Sequence, residues 1–264
     1  MKVRVASALV GLALLLPIIY VGGHVFAWSM FVLGLVGLYE IARMQKIDYF
    51  SSIGLVATIG LGFVLIPEKY WFAPITHFNA SFLFYICCMV LLVLTVYKQE
   101  HFSFVDASTL VFGALYIGYG FRYLIEIRDL GLKTIAFVFL VIWATDSGAY
   151  IVGRRFGKHK LAPKISPNKT FEGSIGGVLV AVLCSALYIA FVEPNLAGVN
   201  RYIWLTIFLS IAGQFGDLIE SAYKRHFGVK DSGNLLPGHG GVLDRFDSTI
   251  SASVMFMVFI HLIK

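Results

Sequence analysis

The sequence predicts an all-α polytopic membrane protein of about nine transmembrane helices, with cytoplasmic active-site loops and no soluble domain. Three observations carry that reading. The 264 residues are 58% hydrophobic and 14% charged, with a mean hydropathy of +0.82, where soluble domains carry about 25% charged residues. Apolar windows long enough to cross ~30 Å of hydrocarbon recur along the whole chain. Lys and Arg gather in the short connectors between those windows, as orientation in a membrane requires. The net charge of +6 therefore reads as topology, not as affinity for nucleic acid.

The windows lie near 4–22, 24–42, 52–67, 80–97, 104–121, 134–152, 173–192, 202–222 and 248–263. Segments in lipid must satisfy their own backbone groups, so each is expected to be helical. The first run follows Lys2 and Arg4 but is closed by no small-x-small cleavage site, and a retained span is expected. Cys87, Cys88 and Cys184 all fall inside apolar runs and read as packing residues. The N-terminal part, 1–132, reads as scaffold or a dimer face, a choice the Glu40/Arg43 pair leaves open. The part from 133 to 264 carries the chemistry.

Nine spans place the N-terminus, 43–51, 98–103, 153–172 and 223–247 on one side. That side holds fifteen Lys and Arg; the other holds six. The richer side is expected to be cytoplasmic, which brings both chemically rich loops to the same face.

The last of those loops is the most unusual for a membrane connector. The 25 residues from Tyr223 to Asp247 contain five glycines, two histidines, four Lys/Arg and three aspartates. Lys and Arg neutralise phosphate oxygens, carboxylates hold Mg²⁺, and glycines let backbone N–H groups approach an anion. Upstream, Asp217, Ser221 and Lys224 fall within about 60° of one another on a helix. Asp217 is either a cation ligand or a structural bridge to Lys224 or Arg225. Downstream, the turn Pro237-Gly238-His239-Gly240-Gly241 is expected to turn its amides towards a phosphate, with His239 bonding that phosphate or positioning the loop. Asp244 and Asp247 follow, three apart, at the start of the last helix.

The other rich segment, 143–173, holds Asp146 inside an apolar run, where a charge costs ~2.5–3.5 kcal/mol and so marks a functional candidate. Ser166-Pro167-Asn168-Lys169-Thr170-Phe171-Glu172-Gly173 is expected to open the next helix, with Ser166 or Asn168 as its cap and Glu172 in its first turn. A helix N-terminus beside Lys169 is a ready anion site. Asp217, Asp244 and either Asp146 or Asp247 could converge on hard cations; oxygen ligands favour Mg²⁺ over zinc, and His226 and His239 lack the companions zinc needs. These features describe metal-assisted phosphoryl or nucleotidyl transfer at a membrane surface. No P-loop, kinase set or Rossmann fingerprint is present.

The string Ser221-Ala222-Tyr223-Lys224-Arg225, Lys230-Asp231, His239-Gly240-Gly241 and Asp244-Arg245-Phe246-Asp247 resembles the signature of the phosphatidate cytidylyltransferases, or CDP-diacylglycerol synthases, of bacterial type. Asp146-Ser147-Gly148-Ala149-Tyr150, the Ser166–Gly173 segment and Gly213-Gln214-Phe215-Gly216-Asp217 are similar too. Tyr223 departs mildly, standing where an aliphatic residue or Phe is expected. The resemblance implies transfer of a cytidylyl group from CTP to phosphatidic acid, with pyrophosphate released, a Mg²⁺ requirement (alone or with a second cation) and a homodimer. It further implies a multi-pass protein of the bacterial inner membrane. Asp217 and Asp244 would hold metal, with Asp146 and Asp247 as further ligands or supports. Lys169, Lys224, Arg225, Lys230 and Arg245 would neutralise phosphates. Ser166 and Ser221 would supply hydroxyl partners, and Asn168, Thr170, Glu172, Gly240 and Gly241 would line the substrates. Asp231 and His239 complete the catalytic string. No nucleic-acid partner is expected.

The rival readings are another CTP-using lipid enzyme, such as a polyprenol-type kinase, and an ion-coupled transporter with Asp146 and Asp217 at broken helices. A kinase releases CDP, a cytidylyltransferase pyrophosphate, and a transporter turns over nothing. The charge bias also predicts orientation. A cysteine introduced as Lys164→Cys or Lys230→Cys should resist a membrane-impermeant thiol reagent in intact cells and react once the membrane is opened. Reaction in intact cells would reverse the topology.

Overall fold

The computed structural model describes residues 2–71, 78–192, 199–233 and 240–263. Among them every predicted window is an α-helix: α1 Lys2–Val21, α2 Gly23–Met44, α3 Ser52–Leu65, α4 Ala80–Tyr97, α5 Phe104–Leu130, α6 Leu132–Phe156, α7 Phe171–Val192, α8 Val199–His226 and α9 Leu243–Ile263. Six of these, α2 and α4 to α8, are long and apolar enough to cross a membrane, while α3 is a shorter apolar helix of 14 residues. The largest departure in length is α5, which runs nine residues past the window that ended at 121. Its extension is charged, but Arg122 Nε pairs with Glu126 Oε1 at 3.0 Å, one turn on, which supports a helix. Gly131, at φ 140°, ends it.

The chain forms two compact units. One comprises Met1–Glu126 with Phe227–Arg245, the other Ile127–His226 with Phe246–Lys264. In the first, small residues let helices approach: Gly34 meets Leu61 and Leu65, and Gly118 meets Val64. Phe26, Met30, Leu38, Ile117 and Phe121 are buried around them. Without a hydrophobic drive between helices in lipid, such close packing is what holds them together.

In the second unit α6 and α7 meet through glycines on both helices. A Cβ at Gly177 would fall 2.7 Å from the Thr145 carbonyl oxygen, and one at Gly176 2.5 Å from Val152 Cβ. Only glycine permits that approach. Helix α8 is joined by polar contacts: Thr145 Oγ1 and Ser210 Oγ are hydrogen-bonded at 2.8 Å, and Gln214 Nε2 donates to the Ser174 carbonyl at 3.3 Å. Leu179, Leu183 and Leu187, four residues apart on α7, are exposed, a stripe suited to lipid.

One element was not expected. Residues 160–170 form an antiparallel hairpin of β1 Lys160–Ala162 and β2 Ser166–Thr170, with Lys160 opposite Thr170 and Ala162 opposite Ser166. Ser166 and Asn168 are therefore strand residues and cap nothing. The cap of α7 is Thr170, whose Oγ1 accepts the Gly173 N–H at 3.1 Å, an interaction of about 1 kcal/mol. The capping rule was right and its register was four or two residues early, because β-pairing carries the chain up to Thr170 before the helix begins.

Candidate active site

In the second unit the candidate side chains come from α6, the hairpin, α8 and α9. Lys169 Nζ lies 2.7 Å from Asp217 Oδ2. Their side chains are 25% and 36% exposed, so solvent screens the pair and its net contribution to stability is at most ~1 kcal/mol. Its placement matters more than its strength, because it fixes the end of β2 against α8. Ser221 Oγ, one turn on, donates to Asp217 Oδ1 at 3.3 Å, confirming the shared helix face. Asp146 and Asp247 both lie within electrostatic reach of Asp217 and of one another, with Lys169 offsetting Asp146 and Lys224 offsetting Asp247. Three carboxylates and two lysines thus act on one another through their charges.

Lys224 pairs with Glu220, one turn back, and the two side chains are 12% and 3% exposed. Removing one partner of so buried a pair costs ~3–5 kcal/mol. Lys224 is thereby a structural as well as an electrostatic group. Arg225 Nε donates to the Ile165 carbonyl at 3.2 Å and ties the end of α8 to the hairpin turn. Glu172 accepts the N–H groups of Lys158 and His159 at 3.0 and 3.2 Å, and contacts His159 Nδ1 at 2.6 Å. It closes the base of the hairpin. Asn168 is exposed and Ser166 half-buried.

In the first unit a candidate residue is Asp244. Asp244 Oδ2 accepts from the Ser232 N–H at 2.9 Å, the Ser232 hydroxyl at 2.9 Å and the Gly241 N–H at 2.8 Å. Gly240 has φ +80°, a conformation that favours glycine. Glu40, on α2 and only 2% exposed, accepts the Val242 and Leu243 N–H groups at 2.8 and 3.0 Å. Of the turn 237–241, whose amides were expected to face a phosphate, residues 237–239 lie outside the described residues and the Gly241 N–H is engaged by Asp244. The next two amides, of Val242 and Leu243, are taken by Glu40. Lys230, Asp231 and Arg245 are exposed, and His239 lies outside the described residues.

Among the described residues no three His, Cys, Asp or Glu side chains stand already gathered as a ligand set for a metal. The chemistry of Asp146, Asp217 and Asp247 nonetheless fits a hard cation. All three offer carboxylate oxygens, and their mutual repulsion is what a divalent ion relieves.

Comparison with known proteins decides the family. A model of the cytidylyltransferase family matches residues 2–263. The chain belongs to the cytidylyltransferase family. Its relatives include the phosphatidate cytidylyltransferases of Staphylococcus saprophyticus, 43% identical over 254 residues, and Staphylococcus epidermidis, 44% identical over 254, each match covering 94% of both chains. The Staphylococcus aureus protein of the same name is 43% identical over 252 residues, again across 94% of both.

Three residues of these clusters were not read as candidate site residues from the sequence of this cytidylyltransferase: Glu220, Ser232 and Glu40, the last named only with Arg43 as scaffold or dimer face. Glu40 carried a usable signal, since a carboxylate in the apolar window 24–42 is as conspicuous as Asp146 in its own. Ser232 carried none. The Gly-Gln-Phe-Gly-Asp segment also has a packing reason. A Cβ on Gly216 would run into the Asp247 carbonyl oxygen and Ser251 Oγ, whereas Gly213 has nothing nearer than the Ser248 carbonyl at 3.6 Å. Gly216→Val should therefore cost ~1–3 kcal/mol through overpacking and lower the unfolding temperature in detergent, while Gly213→Ala leaves it nearly unchanged. Equal effects at both positions would contradict this close approach.

Proposed function

We propose that the chain catalyses Mg²⁺-dependent transfer of the cytidylyl group of CTP to phosphatidic acid, giving CDP-diacylglycerol and pyrophosphate at the cytoplasmic face of a bacterial inner membrane. The observation that carries the reading is the Lys169–Asp217 contact, with Asp146 and Asp247 within electrostatic reach of Asp217, in a chain whose named relatives are phosphatidate cytidylyltransferases. Such clusters suit reactions in which positioning and charge neutralisation do the chemistry.

In this reading a phosphomonoester oxygen of the lipid attacks the α-phosphorus of CTP. The bond between the α-phosphorus and the bridging oxygen breaks in line, and that oxygen leaves with its electron pair as pyrophosphate. The attacking oxygen is already ionised near neutral pH, so no general base is needed. Lys169, Lys224, Arg225, Lys230 and Arg245 neutralise phosphate charge. Ser166 and Ser221 serve as hydroxyl partners, and Asn168, Thr170, Glu172, Gly240 and Gly241 shape the substrate surroundings. Asp231 and His239 belong to the same catalytic string. Asp146, Asp217, Asp244 and Asp247 would hold Mg²⁺, which when bound offsets the charge that builds on the triphosphate.

A membrane setting supports the reading physically. The acyl chains stay in hydrocarbon while the headgroup meets CTP at the interface, and the basic stretch from Arg154 to Lys169 attracts anionic headgroups at about 1 kcal/mol per residue. Homodimerisation enters on the family resemblance alone.

The test uses purified protein in micelles with phosphatidic acid, Mg²⁺ and CTP labelled on its α-phosphate. Label should enter lipid with stoichiometric pyrophosphate release, stop on addition of EDTA, and fall at least ~100-fold in Asp217→Asn. Release of CDP in place of pyrophosphate, or full turnover without divalent metal, would overturn the reading.

A further inference from the structure

We propose that Glu40 is a positioning residue for this reaction, holding from α2 the turn that starts α9 and, through Ser232, the carboxylate of Asp244. The inference rests on the functional reading above, in which Asp244 is a site residue.

The first N–H groups of any helix lack partners within it, and a side chain immediately upstream usually supplies one. At the start of α9 the acceptor comes from 202 and 203 residues away. Glu40 Oε1 takes the Val242 N–H at 2.8 Å, and Oε2 takes the Leu243 N–H at 3.0 Å. A carboxylate there also faces the positive end of the helix. Oε2 further accepts the Ser232 hydroxyl at 2.9 Å, and that same hydroxyl lies 2.9 Å from Asp244 Oδ2. One hydroxyl carries one proton, so Glu40 and Asp244 share it, and the state of either carboxylate is felt by the other.

The neighbouring sequence is shaped around Glu40. A Cβ on Gly241 would collide with both Glu40 Oε1 and Ser232 Oγ, and one on Gly233 would stand 2.5 Å from Glu40 Oε1. Two glycines on either side of the 234–239 segment are thus required by one carboxylate of α2. Glu40 itself is 2% exposed, and a carboxylate so buried with three donors arranged about it has a defined task. That task is to fix Gly241, Val242 and Leu243, and with them the start of the Asp244-Arg245-Phe246-Asp247 run.

The experiment compares wild type, Glu40→Gln and Ser232→Ala in detergent. Glu40→Gln keeps shape but sets an amide NH₂ against backbone donors. Ser232→Ala removes only the shared hydroxyl. Hydrogen–deuterium exchange of the segment 240–245, without substrate, should be about tenfold faster in Glu40→Gln. Per folded molecule, kcat should fall about 10- to 100-fold, and the half-saturating Mg²⁺ concentration should rise about tenfold. Ser232→Ala should shift Mg²⁺ dependence in the same direction by a smaller factor, and it decides the matter if Glu40→Gln does not fold. Unchanged exchange would overturn the clamp. Faster exchange with kcat and Mg²⁺ dependence unchanged per folded molecule would make Glu40 merely structural and also overturn the proposal. If wild type itself forms no CDP-diacylglycerol, the functional reading falls, while the exchange data still report on the clamp by themselves.

Discussion

Ionised groups embedded among apolar helices have to be satisfied by the protein itself, and the arrangement of this chain's carboxylates follows from that constraint. Among the described residues four of them meet a definite partner. Asp217 meets Lys169, Glu220 meets Lys224, and Glu40 and Asp244 meet backbone amides and the Ser232 hydroxyl. Charge in such surroundings is expensive to strand and sensitive to its neighbours. Groups held this way are stiff, and stiffness is what a phosphate-transfer site needs, since most of its work is positioning.

Small residues make the arrangement possible. Gly176 and Gly177 allow α7 to approach α6, and Gly216 lets the α8 backbone reach Asp247 and Ser251. Polar groups then link α8 to α6 and α7 through Ser210 and Gln214. The helices are therefore held by close backbone contact and a few hydrogen bonds, as expected where lipid removes the hydrophobic preference for helix against helix. Asp217 stands beside Gly216, so the residue that permits packing immediately precedes the residue proposed to bind the cation.

The helices were legible in the sequence because hydropathy over some twenty residues is a strong, local signal. Even so, the window ending at 121 stopped short of Leu130, since an Arg122–Glu126 pair sustains a helix that hydropathy alone cannot see. The 160–170 hairpin was not legible. Its strands of three and five residues lie in a polar loop, and such pairing has no periodicity long enough to read. Helical spacing placed Asp217 and Ser221 on one face of α8, and Ser221 does meet Asp217. The ion-pair partners of Asp217 and Lys224 were not found, because Lys169 and Glu220 are chosen by tertiary packing. Glu40 shows the same limit across 202 residues: its position in an apolar window is unusual and was passed over, and no local pattern reveals which helix end it serves.

Binding of Mn²⁺, as a spectroscopic substitute for Mg²⁺, tests most directly whether Asp146, Asp217 and Asp247 form a cation site. Electron paramagnetic resonance on purified protein, titrated with Mn²⁺ in the presence of CTP, should show stoichiometric binding that weakens about tenfold or more in a folded Asp247→Asn variant. Mn²⁺ affinity identical in wild type and in folded Asp146→Asn, Asp217→Asn, Asp244→Asn and Asp247→Asn variants would contradict a carboxylate-held cation and leave the lysines and arginines to carry the charge neutralisation alone.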